Sequence, residues 1–226
     1  MKCFVIVFFT SLFMTALVLF PIKPAMATDT AAGAQEIIRR AGLTLDTFVA
    51  DKDFPLFREN LVKAKGVLII PEVLKAGYVW GGSGGTGVLL VRDEKSNEWS
   101  HPAFYIVGSV TFGLQIGAEN AEVVMLAMSR KAVDSLLASS FKLGGDVSVA
   151  VGAKGAGMKK IVTADFISFT KAKGLYVGLS FEGSVIKTAD DLNKVYYGKE
   201  VRPIHILVQK EVTNPYSETL RKKLPR

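Results

Sequence analysis

Gly81-Gly82-Ser83-Gly84-Gly85-Thr86-Gly87, followed without a break by Val88-Leu89-Leu90-Val91-Arg92, is the stretch whose reading decides the fold. As letters it satisfies two motifs at once. Gly81-x-Ser83-x-Gly85 spells a hydrolase elbow, and Gly82-x-Gly84-x-x-Gly87 spells a dinucleotide fingerprint. Both motifs require a strand before and a helix after, so that a helix N-terminus faces the oxyanion or the pyrophosphate. The residues that follow here are β-formers. The string is therefore expected to be a glycine-rich hairpin turn with positive φ angles, leading into a strand. A narrower functional version stays open, in which consecutive backbone N–H groups of the turn form an anion-binding nest for a lipid phosphate. A serine hydrolase using Ser83 is the remote alternative.

Working outward, the chain beyond Lys65 has one texture: short β-rich runs punctuated by glycine. The runs are Val67 to Ile70, Gly77 to Trp80, Val88 to Arg92, Ala103 to Val107, Val110 to Ile116, Val147 to Val151, Ile161 to Phe169 and Leu175 to Ile186. Leu175, Val177, Leu179 and Phe181 alternate with Tyr176, Gly178, Ser180 and Glu182, the pattern of a strand with one face on a core. Upstream, Ile37, Ile38, Ala41, Leu45 and Phe48 recur at helical steps, and Phe54, Phe57 and Leu61 repeat the spacing after a break near Asp51 to Pro55. This predicts two short amphipathic helices. A third helix is expected from Arg130 to about Phe141 and a last one over Ala189 to Val195. His205 alternates within Ile204-His205-Ile206-Leu207 as in a half-exposed strand, and Pro215 to Arg226 reads as a frayed basic tail. The fold class expected is α+β: a single domain with a mostly antiparallel, glycine-rich β-sheet or partial barrel and amphipathic N-terminal helices.

The chain has 226 residues and a net charge of +7. Its first residues distort these totals. Met1-Lys2 precedes an apolar run from Phe4 to Phe20, then Pro21, Lys23, Pro24 and Ala25-Met26-Ala27. A run of 17 residues, short of the roughly 20 that span a bilayer, with an A-x-A sequence after it, reads as a secretory signal peptide over 1–27. An uncleaved anchor is the lesser alternative. Removing 1–27 takes Lys2 and Lys23 and no acid, which lowers the charge from +7 to +5. It also removes Cys3, the only cysteine, so the mature chain offers no disulfide, thiolate nucleophile or cysteine metal site. The organisation expected after the signal is an amphipathic helical part over 28–65, a β-rich core over 66–212 and a basic tail over 213–226, in a periplasmic or secreted protein.

Chemistry has few candidates. His101 and His205 are isolated, so no histidine–cysteine cluster or transition-metal site is expected, and no cofactor. Asp93-Glu94 lies in a polar turn and Asp190-Asp191 opens a helix, neither a setting for paired-carboxylate catalysis. The chain is expected not to be an enzyme. The basic residues fall into two dense groups. Arg39, Arg40, Lys63 and Lys65 flank the amphipathic helices, and Lys154, Lys159, Lys160, Lys171 and Lys173 flank the Gly152 to Gly157 loop and the strands beside it. Such residues suit an anionic membrane surface. Export argues against nucleic acid as the partner. By ordinary amphipathicity the helix stripe itself more often faces a core than a membrane.

Together the glycine-rich blocks form an ordered series. It runs through Lys63-Ala64-Lys65-Gly66, Pro71, Lys75-Ala76-Gly77, the Gly81 to Gly87 string, Trp99-Ser100-x-Pro102-Ala103-Phe104 and Phe112-Gly113-Leu114-Gln115-Ile116-Gly117. It continues through Phe141-x-Leu143-Gly144-Gly145-Asp146, Lys173-Gly174-Leu175-Tyr176-Val177-Gly178-Leu179-Ser180-Phe181-Glu182-Gly183 and Tyr196-Tyr197-Gly198. This series resembles the SYLF lipid-binding domain family over about residues 35 to 208, as a bacterial exported member. The resemblance implies a phospholipid-binding module, which in eukaryotic members meets acidic phospholipids through a basic, amphipathic N-terminal region and in yeast members also binds actin. Where many relatives carry a Gly-Pro-x-Gly-Arg-like loop, this chain has Gly152-Ala153-Lys154-Gly155-Ala156-Gly157. Any phosphate contact there falls to Lys154 or Lys159, point charges without a guanidinium fork. The partners expected are an anionic phospholipid or membrane surface and, as the alternative, an envelope protein or a second copy of the chain.

Overall fold

The run Val67-Leu68-Ile69-Ile70 opens β1, Gly66–Gly77, the strand around which an eight-stranded sheet is built. The computed structural model describes residues 30–77, 80–112, 117–152, 164–173, 181 and 183–226. The remaining strands are β2 (Trp80–Val91), β3 (Ala103–Phe112), β4 (Gly117–Ala127), β5 (Ser140–Lys142), β6 (Val149–Val151), β7 (Phe166–Lys173) and β8 (Val185–Thr188). Their order across the sheet is β5-β8-β3-β2-β1-β4-β7-β6. Every pairing is antiparallel except that of β6 with β7. The expected fold class holds.

β1 carries a proline in a central strand, where a missing N–H would interrupt a ladder. The sheet accommodates it with a bulge. Between Ile70 and Val73, β1 has one residue more than β4 has between Val123 and Ala121, and the pairing with β2 shifts in the same place. Pro71 sits in this irregularity, so its lack of a donor costs no regular ladder bond.

The connection between β5 and β6 forces the sheet to curl. These strands are its two edges, and seven spacings of about 4.8 Å would separate the edges of a flat sheet by about 34 Å. The chain from Lys142 to Val149 reaches at most about 25 Å. The edges therefore turn toward each other: Phe141 of β5 stacks on Phe166 of β7 with ring centroids 6.0 Å apart, and Leu143 bridges to Val147. The concave side is filled by Leu68, Ile70, Leu89, Tyr105, Met125 and their neighbours, and is covered by α3 (Arg130–Leu137) and α5 (Pro203–Leu207) through Val133, Leu136, Ile206 and Leu207.

The convex side carries Val67, Ile69, Val88, Leu90, Phe104, Val124, Leu126, Ile167 and Phe169 under α1 (Ala31–Ala50), α2 (Pro55–Lys63), α4 (Asp190–Tyr197) and α6 (Glu218–Arg221). Because both faces of its first half are covered, β1 reads as a continuous apolar run rather than an alternation. Thr30 caps α1 by accepting from Gly33 N at 3.1 Å, and the stripe Ala34, Ile37, Ile38, Ala41, Leu45 and Phe48 is buried. Phe48, Phe54, Phe57 and Phe169 pack ring against ring with centroids 5.2–6.1 Å apart, which ties the break between the two helices to β7.

Several expectations are corrected. The Gly81 to Gly87 string is not a turn: it lies within β2, and the glycines with positive φ are Gly144, Gly183 and Gly198 among the described residues. Ala103 to Phe112 is one strand rather than two, with 113–116 outside the described residues. The helix from Arg130 ends at Leu137, and Phe141 belongs to β5. Ile204 to Leu207 is helical, started by Pro203, whose fixed φ suits a first turn. The C-terminal residues are not frayed. Leu220 and Leu224 enter the core, and Trp99 Nε1 and Arg92 Nη2 donate to the Pro225 carbonyl at 2.7 and 2.8 Å. The expected signal segment 1–27, the Leu175 to Ser180 alternation and the loop residues 153–157 lie outside the described residues.

Candidate anion-binding site

The basic residues marked out by the sequence meet different fates. Arg39 is exposed and forks onto Glu36 one turn earlier, at 2.6 and 2.7 Å. This contact holds the Glu36 carboxyl below its usual range. Arg40 reaches Glu72 at 2.9 Å, and Glu72 also accepts from Asn120 Nδ2 at 2.6 Å. Lys171 pairs with Asp51 at 2.6 Å, donates to the Thr47 carbonyl at 3.2 Å and lies over the Phe48 ring. Arg40 and Lys171 are spent on clamping α1 and its corner to the sheet, while Arg39 is closed onto its own helix. Lys154, Lys159 and Lys160 lie outside the described residues, and of Lys173 the structure describes only the backbone register, opposite Asn120. The amphipathic stripe of α1 faces the core and so offers no apolar face to a membrane.

Lys63 and Lys65 are brought together at one place. Where α2 hands over to β1 and β2 runs into the turn after Val91, a pocket of about 350 Å³ is lined by Lys63, Ala64, Lys65, Arg92, Glu94 and Asn97. Its size suits a small headgroup. Lys63 is exposed and has no ion pair among the described residues, whereas Lys65 bonds Glu94 at 2.8 Å. Arg92 packs 4.7 Å from the centroid of the Trp99 ring and donates to the Val62 and Pro225 carbonyls, both at 2.8 Å. Its Nε is buried with no partner, and burial lowers its pKa while leaving it a cation. Three cations against one carboxylate give the pocket a positive field.

The turn beside the pocket is held by Asp93. Asp93 Oδ1 accepts from the backbone N of Lys95 and of Ser96, each at 2.9 Å, and Asp93 Oδ2 pairs with Lys210 at 2.8 Å. These contacts, the Lys210 bond first, hold its carboxyl well below the usual range. Asn97 takes the left-handed conformation, φ 56°, that asparagine tolerates. Sequence reasoning missed Arg92 in this site. The available signal was its place directly after the Val88 to Val91 strand, but the contact with Lys65 depends on register: Arg92 N donates to Lys65 O at 2.8 Å.

The other candidate chemistries disperse. Ser83 Oγ lies 2.7 Å from Ser109 Oγ on the neighbouring strand. The histidines are engaged elsewhere: His101 Nδ1 contacts Ser217, and His205 Nδ1 accepts from Arg202 N at 3.3 Å. Among the described residues no group of three or more His, Cys, Asp or Glu side chains is placed to hold a metal, and no helix is long and apolar enough to cross a membrane.

The described residues form a curled sheet under helices, with Lys63, Lys65 and Arg92 gathered at one pocket. Residues 108–226, a little over half of the chain, match the family model Ysc84, described as a Las17-binding protein actin regulator. The chain belongs to this family, the Ysc84 or SYLF family. Similar curated proteins include an SH3 domain-containing protein of Schizosaccharomyces pombe, 33% identical over 202 residues that cover 82% of this chain and 46% of that one. Protein YSC84 of Saccharomyces cerevisiae is 30% identical over 207 residues, covering 88% of this chain and 43% of its own. LAS seventeen-binding protein 3 of the same yeast is 31% identical over 185 residues, covering 79% and 39%. The chain thus spans less than half the length of the curated relatives it matches. No solved structure matches it.

Proposed function

We propose that this protein is a non-catalytic phospholipid-binding protein that acts at the cell envelope after export, meeting anionic headgroups at the pocket formed by Lys63, Lys65 and Arg92. The observation that carries the reading is the convergence of three cations with a single carboxylate on a pocket of headgroup size, with the Lys63 ammonium unpaired among the described residues. Basic residues near an anionic surface add about 1 kcal/mol each. Lys154, Lys159, Lys160 and Lys173 are secondary contributors in this reading, Lys171 being closed onto Asp51, and export is supported by the Met1 to Ala27 pattern. The test is co-sedimentation with phosphatidylglycerol vesicles and with phosphatidylcholine vesicles. Binding to the first alone, abolished by Lys63→Glu with Lys65→Glu, is expected; equal binding to both vesicle types would sink it.

A second reading, an envelope protein-interaction or self-assembly module, is favoured by the names of the relatives, which describe binding to another protein. Light scattering and crosslinking separate the two. A stable oligomer or complex that is indifferent to lipid belongs to the second reading.

A further inference from the structure

The glycines of β2 and β3 fall into two classes by the face they occupy. On the concave face, a Cβ at Gly85 would lie 2.3 Å from the Glu72 carbonyl, and one at Gly87 would lie 2.6 Å from the Ile69 carbonyl. The β1 bulge presses into these positions, so the fold itself requires glycine there. On the convex face the reverse holds. A Cβ at Gly82 or Gly84 would come no nearer than 3.5 Å to any atom, and one at Gly108 no nearer than 4.0 Å. Gly82 and Gly84 are exposed. Glycine weakens a strand interior, and where nothing inside the molecule demands it, it marks a surface that something outside approaches closely.

The surroundings of this bare floor indicate what approaches. Leu74, Gly84, Gly108, Val185 and Lys142 are paired in one continuous register row across β1, β2, β3, β8 and β5, and Ile106 pairs with Lys187 in the next row on the same face. Leu74, Ile106 and Val185 are 43%, 38% and 44% exposed. Lys142 and Lys187 are both exposed, and neither is in an ion pair among the described residues; Asp146 accepts from the backbone N of Lys142, not from its ammonium. The floor therefore has apolar sides and, on β8 and β5, a cationic end; past Leu74 the same row continues to Asn120 and Lys173. It does not suit a polypeptide strand. The backbone groups of β2 and β3 are already committed to their neighbours in the sheet, so an incoming peptide would find no hydrogen-bond edge on this face and would bury its amides unpaired.

We infer that this face holds the acyl chain of an anionic lipid, lying on Gly84 and Gly108 between Leu74, Ile106 and Val185, with the headgroup toward Lys142 and Lys187. An acyl chain needs no hydrogen bonds and gains from close contact with bare backbone. The inference rests on the lipid reading for the class of ligand and adds a second surface, separate from the Lys63 pocket, at which a lipid is held by its acyl chain.

The test uses the full chain and two probes: dioctanoyl-phosphatidylglycerol below its micelle concentration, and glycerol 3-phosphate, which has no acyl chain. Gly84→Val with Gly108→Val fills the floor where space exists and should leave the thermal midpoint unchanged or higher. It is expected to weaken dioctanoyl-phosphatidylglycerol binding about tenfold or more and to leave glycerol 3-phosphate binding as in wild type. Lys142→Ala with Lys187→Ala, which does not touch the sheet backbone, is expected to weaken the lipid probe by about fivefold, and Gly84→Ala serves if the double valine variant fails to fold. Lipid binding by the glycine variants and by the lysine variant within about twofold of wild type overturns the inference while leaving the headgroup pocket standing. Absence of any wild-type binding to either probe and to phosphatidylglycerol vesicles overturns both.

Discussion

His101 Nδ1 lies 2.7 Å from Ser217 Oγ, joining the segment that leads into β3 to the last turns of the chain. Asn214 N donates to the same ring nitrogen at 3.3 Å, and Ser217 Oγ donates to the Asn214 carbonyl at 2.7 Å. The Ser217 hydroxyl has one proton, so when it donates to the Asn214 carbonyl the 2.7 Å contact has Nδ1–H as its donor, and when it turns to Nδ1 the ring nitrogen accepts from both Ser217 and Asn214 N. Burial lowers the His101 pKa, the Arg221 guanidinium acts in the same direction and Glu218 opposes them.

A pH dependence of stability follows. The unfolded chain takes up this proton near the ordinary value of 6.5, before the folded chain does, so the unfolded state binds more protons as pH falls below that point. The contribution of neutral His101 is complete above 6.5 and is lost as pH falls through the lowered folded value. Thermal midpoints between pH 7.5 and 5 are expected to fall on the acid side in wild type and to fall less in His101→Gln. An identical slope in the two proteins would contradict this assignment.

The two classes of glycine predict opposite mutational signs. Gly87→Ala places a methyl against the Ile69 carbonyl and is expected to cost about 1–3 kcal/mol, because backbone must shift to admit it. Gly84→Ala meets no close atom and is expected to be neutral or to stabilise by up to about 1 kcal/mol. Urea titration of both variants against wild type measures the difference.

The C-terminal turn is part of the core. Leu220 is buried beside α1 and the sheet, so Leu220→Ala is expected to cost about 2–5 kcal/mol. A truly frayed tail would tolerate the change within a few tenths. The midpoint of chemical denaturation is the relevant measurement.

Charge reversal separates cations that look alike in the sequence. Arg39 and Arg40 already face Glu36 and Glu72. Arg39→Glu with Arg40→Glu is therefore expected to reduce co-sedimentation with phosphatidylglycerol vesicles far less than Lys63→Glu with Lys65→Glu, by about threefold against tenfold or more. Equal losses would place the binding surface on α1.

Much of the architecture was legible in local pattern. The two N-terminal helices and the break between them follow from apolar spacing and Pro55, and the strand-rich remainder follows from β-branched runs between glycines. Where local pattern misled, a partner distant in the chain had overridden it. The glycine string looked like a turn because glycine is usually required by φ, whereas here Gly85 and Gly87 are required by a bulge in another strand. Ile204 to Leu207 alternated like a strand, but Pro203 starts a helix that covers the concave core.

By itself, the sequence determined the class of the domain, its two N-terminal helices and its family, since these rest on periodicity, on punctuation by glycine and proline and on the order of short blocks. Only the tertiary structure decided which cations are free and which glycines are exposed. Lys63 and Lys171 are both lysines beside apolar residues, yet one borders a pocket with no ion pair among the described residues and the other is closed onto Asp51. The physical reason is that ion pairing and close packing depend on contacts between residues far apart in the chain. Sheet register and the curl imposed by the short β5–β6 connection set those contacts, and neither is written in any local stretch.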